Sequence, residues 1–209
     1  NTFRFVNLQG QTPYNYSFST DFGFAIKPAD LNAEIELFTT ANRAYNYSNN
    51  VLITSNSNSY WASLQLRKDK LKKYSLSAVV APNYTVNTFS SQQRNNNAAG
   101  LYSDGSATIF LPKRFQFATN VSYNYTAATQ NLEAQYRTSL NAFVSKAFLK
   151  SDALKLSFIV NNLLNQNMNL NRSVSANAIT QSSYNSIGRY FFLSLSWDFS
   201  QFGTNPVKN

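Results

Sequence analysis

The chain has no cysteine and no histidine in 209 residues. Without thiols there are no disulfides and no thiolate catalysis. Without imidazole the commonest general base is gone, and with both absent so is nearly every zinc site. Charge is also scarce: Asp, Glu, Lys and Arg make up 13% of the chain, where a soluble domain carries roughly a quarter. Glycine occurs only 6 times, too rarely for a flexible linker, and no Gly-rich phosphate loop is present. No run approaches the roughly 20 apolar residues of a membrane helix. No signal peptide is visible and the first residue is Asn1, which reads as a mature protein or an excised piece of a longer one.

Polarity comes instead from Asn, Ser and Thr. The few charges sum to +9, and aromatics are plentiful, with 17 Phe and 13 Tyr. Period-two alternation runs through the chain, and no stretch has helical periodicity. Near the end, Phe191, Leu193, Leu195, Trp197 and Phe199 alternate with Ser194, Ser196, Asp198 and Ser200. Earlier, Tyr14, Tyr16, Phe18, Phe22, Phe24 and Ile26 alternate with Asn15, Ser17, Ser19, Asp21, Gly23 and Ala25. The same pattern marks strands around 73–87, 115–125 and 154–162, with weaker ones near 2–8, 32–44, 59–67, 98–110 and 132–148. The fold class expected is all-β, an antiparallel up-and-down meander of about ten long strands. Several strands reach the roughly 9–11 residues that crossing a bilayer requires, against 5–6 for ordinary strands.

The connections alternate in kind. Short lysine-bearing turns lie at 26–31, 67–73, 111–115 and 149–155, while longer Asn/Ser/Gln-rich segments lie at 45–58, 88–97, 127–132 and 164–188. In a meander alternate connections fall at opposite ends of the sheet. One end therefore carries tight basic turns and the other long polar loops, the asymmetry of an outer-membrane barrel with short periplasmic turns. A strand at 2–8 would place both chain ends on the turn side.

Tyrosines sort toward the loop end. Tyr14, Tyr16, Tyr84, Tyr123, Tyr125, Tyr136 and Tyr190 are expected in a headgroup girdle there, and Trp197 and Phe199 in one at the turn end. A tyrosine ring suits an apolar layer while its hydroxyl stays wet. Residues 1–200 are read as barrel and 201–209 as a short tail.

The segment VNNLLNQN at 160–167, a long loop, and then YNSIGRYFFLSLSWDF at 184–199 resemble the last two strands of TonB-dependent outer-membrane receptors. The resemblance is in particular to the outer membrane protein beta-barrel family related to them. Asn161–Gln166 matches the Asn-rich exit from the penultimate strand, and Phe199 holds the terminal aromatic position of the barrel assembly signal. Members of that group carry a plug and about 22 strands, for which this chain has no room. The resemblance therefore implies the C-terminal barrel portion of an importer. Its partners would be outer-membrane lipid, the TonB system acting through a missing N-terminal part, and a small-molecule or oligomeric nutrient bound by loops at 45–58, 88–97 and 164–188. The tail 201–209 runs past the position where such chains usually close.

Other readings of the same residues are a freestanding small barrel with a structural or adhesive role, and a secreted soluble β-protein holding a small ligand. In the soluble reading the apolar stripes pack a core and the polar residues face solvent. Nucleic acid is not expected as a partner, because the lysines sit in separate turns rather than on one strand face. No catalytic, metal or cofactor-binding residue is assigned. Glu34 and Glu36 share a strand face, but they read as hydrated charges rather than an acid/base pair. The Asn-x-Ser/Thr triplets at Asn15, Asn46, Asn83, Asn124 and Asn171 are expected by chance in so Asn-rich a chain.

Overall fold

A computed structural model describes residues 10–91, 97–129, 132–149, 152–166, 169–174, 179–184 and 187–198. Nine strands form one antiparallel sheet whose spatial order follows the chain: β1 (Tyr14–Ile26), β2 (Leu31–Ser48), β3 (Val51–Lys70), β4 (Tyr74–Phe89), β5 (Ala98–Leu111), β6 (Phe115–Thr126), β7 (Gln135–Phe148), β8 (Leu154–Asn161) and, last, β11 (Tyr190–Trp197). Between the last two, β9 (Asn169–Val174) and β10 (Ile179–Tyr184) pair only with each other. Among the described residues β1 and β11 each pair on one side, so the sheet is open.

The all-β meander expected from the alternation is what forms. Among the described residues the strands number close to the ten expected: nine make the sheet and two more build a hairpin inside the segment read as a polar loop at 164–188. The segment at 45–58 is likewise not a loop. β2 and β3 run on through it and turn at Asn49 and Asn50, both left-handed at φ 50° and 62°. A two-residue turn with both residues left-handed matches the twist of the flanking strands, and Asn tolerates that conformation. The proposed strand at 2–8 lies outside the described residues.

The opposite end is tight, as expected. A 3-10 turn at Lys27–Ala29 closes with the Asp30 amide donating to the Lys27 carbonyl at 3.2 Å. The Lys73 amide donates to the Lys70 carbonyl at 2.9 Å, and the Asp152 amide to that of Leu149 at 3.3 Å. Lys72, Lys113, Arg114, Leu149 and Asp152 take the left-handed conformation in these turns, a task that falls to other residues because glycine is rare.

Cross-strand register shows how the sheet leans. One row of partners runs Phe24, Ala33, Leu66, Ala78, Gly105, Val121, Leu140. It starts beside Ile26 at the turn end of β1. It finishes nearer to Gln135, at the loop end of β7, than to Phe148 at the turn end. Such stagger is the shear that tilts strands in a barrel wall. Little core exists. Among the described residues the buried apolar side chains are Ala33, Ala41, Ile53, Ala81 and Val160, and no large side chain is fully buried.

Candidate membrane interface and polar face

Because side chains alternate, the register assigns every strand residue to one of two faces. One face carries Tyr14, Tyr16, Phe18, Phe22 and Phe24 of β1, opposite Arg43, Ala41, Thr39, Ile35 and Ala33 of β2. It continues through Leu64 and Leu66 of β3, Leu76, Val80 and Tyr84 of β4, Leu101 and Ile109 of β5, and Phe117, Val121 and Tyr125 of β6. It ends on Val144 of β7, Leu156 and Phe158 of β8, and Leu193, Leu195 and Trp197 of β11. This apolar face is bare: Phe22 is 65% exposed, Leu193 74% and Leu195 68%. With no second layer over it among the described residues, the soluble-core reading of the stripes loses its physical basis.

The band has a definable height. On β6 the apolar-face residues run from Phe115 to Tyr125, about 34 Å along the strand at about 3.4 Å per residue. At the tilt of roughly 40° usual for barrel strands, that spans about 26 Å, close to the ~25 Å apolar band of an outer-membrane barrel.

The expected girdle residues fall as follows. Tyr14 and Tyr16 stack at the loop end of β1 with ring centroids 5.9 Å apart. Tyr84 stands opposite Tyr60, and Tyr125 opposite Tyr136, with Tyr123 two residues along. All lie on the apolar face. Trp197 lies on it at the turn end, opposite Leu154. Tyr190 does not: it pairs with Asn161 and shares its face with Phe192 and Ser194, meeting Phe192 edge-on at 5.2 Å. The parity of Phe191–Trp197 dictates this, and Tyr190 lies off the apolar face that carries the girdle. Phe199 lies outside the described residues. Tyr60, across from Tyr84, sits in mid-β3.

Three features escaped the sequence reading. Arg43, on the apolar face just beyond the band, stacks over Tyr14 at 5.1 Å and donates from Nε to Asn56 Oδ1 at 2.7 Å. Asn56 in turn donates to Thr88 Oγ1 at 3.2 Å. Lys146, also on the apolar face, lies 4.9 Å from the Phe115 ring and 5.1 Å from that of Phe148. On the other face Trp61 and Tyr102 approach to 6.2 Å across β4, whose Ala81 between them is 0% exposed. Only the cross-strand register brings these groups together, and register is not written in any one strand.

The second face is polar. It holds Asp21 opposite Glu36, Glu34 opposite Gln65, and Asn124 opposite Arg137. Asp104 accepts from Asn120 Nδ2 at 3.1 and 3.3 Å, and Ser77 and Ser106 share a hydrogen bond of 2.7 Å. Gly23, Ala25, Asn32, Glu34, Gln65 and Arg67 border a depression of about 410 Å³ there. On the apolar side, Phe18, Leu37, Tyr60, Pro82 and Tyr84 border a groove of about 490 Å³. It lies where the β3–β4 ladder skips Pro82, which has no N–H to give. Among the described residues no group of three or more Asp or Glu is placed to hold a metal ion.

No curated protein and no solved structure matches the chain significantly. The family model described as "Outer membrane protein beta-barrel family" matches residues 6–197, nearly the whole length. An antiparallel meander with one bare apolar face of bilayer height, one polar face, tight basic turns at one end and tall hairpins at the other accords with the wall of such a barrel, and the chain belongs to the outer membrane protein beta-barrel family.

Proposed function

We propose that this chain forms the C-terminal strands of a TonB-dependent receptor that imports a nutrient across the outer membrane. In this reading the apolar face meets lipid, the polar face lines the lumen, and the loop-end hairpins β2–β3 and β9–β10 face the outside and help to bind the nutrient. The observation that carries it is the sheet with two free edges, β1 and β11, among the described residues. Nine strands with a lipid-height band suit a sector of a wider wall. The likeness of 160–167 and 184–199 to the last two strands of such receptors supports the same reading.

The absence of cysteine makes the test clean. Cysteines introduced at Phe3 and Phe5, in the segment expected to form a strand ahead of β1, should not cross-link in cells with cysteines at Leu193 and Leu195 of β11 if further strands lie between these edges. A disulfide between them would overturn the reading in favour of a small closed barrel. Import itself is tested by deleting the gene and comparing uptake across a nutrient panel with and without active TonB. One nutrient should fail equally in both backgrounds; undiminished uptake of every nutrient sinks the importer.

A further inference from the structure

The carboxylates of the sheet are segregated by face. Among the described strands of the nine-stranded sheet, every carboxylate, Asp21, Glu34, Glu36, Asp69 and Asp104, lies on the polar face. The apolar face carries four cations, Arg43, Lys68, Lys70 and Lys146, and no carboxylate. None of the four is in the middle of the band. Arg43 lies toward the loop end of β2, while Lys68, Lys70 and Lys146 lie within three residues of the turn ends of β3 and β7. A charge in mid-bilayer costs several kcal/mol, whereas near the edge a long side chain reaches the interface.

Lys146 is the best defined of these. Its ammonium sits over two rings, that of Phe115 directly across on β6 and that of Phe148 two residues on. The turn that leads into Phe115 adds Lys113 and Arg114. The carboxylate on hand in the next turn, Asp152, is engaged by Arg114 at 3.1 Å. The cradle is thus rich in positive charge, walled by aromatic rings, and continuous with the apolar surface of Val144, Phe117 and Leu156. A free anion would satisfy only the charge, and an acyl chain only the rings. A molecule with both fits the whole surface.

We propose that Lys146, with Lys113 and between Phe115 and Phe148, binds the phosphate of an anionic glycerophospholipid in the leaflet at the turn end, with its acyl chains on Val144 and Leu156. The site rests on the lipid-facing reading of the apolar face and not on import, so it stands if the importer assignment fails. The test uses the protein purified from outer membranes in mild detergent, with phosphatidylglycerol as the probe and native mass spectrometry as the readout. Wild type should retain phosphatidylglycerol in preference to diacylglycerol. Lys146→Gln should weaken retention about fivefold, the worth of one cation near a lipid surface, and Lys146→Arg should keep it. If Lys146→Gln fails to reach the membrane, Phe148→Leu serves instead and should still weaken retention about twofold by removing one ring. Equal retention by wild type and both variants would overturn the site. So would full displacement by millimolar inorganic phosphate, which would mark a free-anion site rather than a lipid one.

Discussion

Asp21 of β1 stands directly across from Glu36 of β2, both on the polar face. Two like charges in opposed positions repel, at a cost of several tenths of a kcal/mol. Glu34 is opposed instead by Gly23 and Gln65. Glu36→Gln should therefore stabilise the folded protein by about 0.5 kcal/mol at low salt, with the gain fading at high salt as screening takes over. Glu34→Gln should give less. Urea unfolding in lipid vesicles measures both. A larger gain from Glu34→Gln would show that facing charges do not set the balance on this surface.

Val121 and Ser122 are neighbours on β6 that point to opposite faces. Val121 lies inside the apolar band, 42% exposed, and Ser122 opposes Asp104. Val121→Arg should cost about 2–4 kcal/mol, the penalty for a cation deep on a lipid face. Ser122→Arg gains a carboxylate neighbour and should cost less than about 1 kcal/mol, as a hydrated polar-face change does. Equal penalties in vesicle unfolding would mean that the bare apolar face does not meet hydrocarbon.

The strands inside the band could be read from the chain because lipid and water each demand a residue type, and the demand alternates with the backbone. Beyond the band that demand stops. In 45–58 each face mixes apolar and polar residues, with Tyr45, Tyr47 and Leu52 on one and Val51 and Ile53 on the other, so alternation vanishes although the backbone ladder continues from Tyr45↔Thr54 to Ser48↔Val51. A hairpin held by main-chain bonds thus reads as a loop in the sequence, and the one signal that survives there is the Asn49–Asn50 turn. Tyr190 failed for another reason: the expectation sorted tyrosines by height and did not apply face parity. The Lys146 cradle depends on pairing Phe115 with Lys146 at the end of the β6–β7 hairpin farthest from its connection, which composition does not specify.

The Asn49–Asn50 turn and the Lys72 turn lie at opposite ends of the β3 strand. A short epitope inserted at Asn50 should be tolerated, because loop length costs little, and antibody should label it on intact cells. The same epitope at Lys72 should be labelled only after the outer membrane is permeabilised. Labelling of the Lys72 insertion on intact cells would invert the orientation and move the tall hairpins to the inner side.

Gly100 and Asn83 face one another on β5 and β4, and the Asn83 side chain lies across the space that a β-carbon at Gly100 would fill. That carbon would come within 2.5 Å of Asn83 Oδ1 and 3.0 Å of its Cγ. At Gly23 an added carbon would meet only the Ala33 carbonyl, at 4.0 Å. Gly100→Ala should therefore cost about 1 kcal/mol, the usual range for mild overpacking. Gly23→Ala should be neutral or stabilising by up to about 1 kcal/mol, since it restricts only the unfolded chain. The pair also makes a cycle. If the Gly100→Ala penalty comes from Asn83, then Asn83→Ala with Gly100→Ala should recover most of it, a coupling of several tenths of a kcal/mol or more. Additive penalties in the double variant would show that Gly100 is held by its backbone and not by the asparagine across from it.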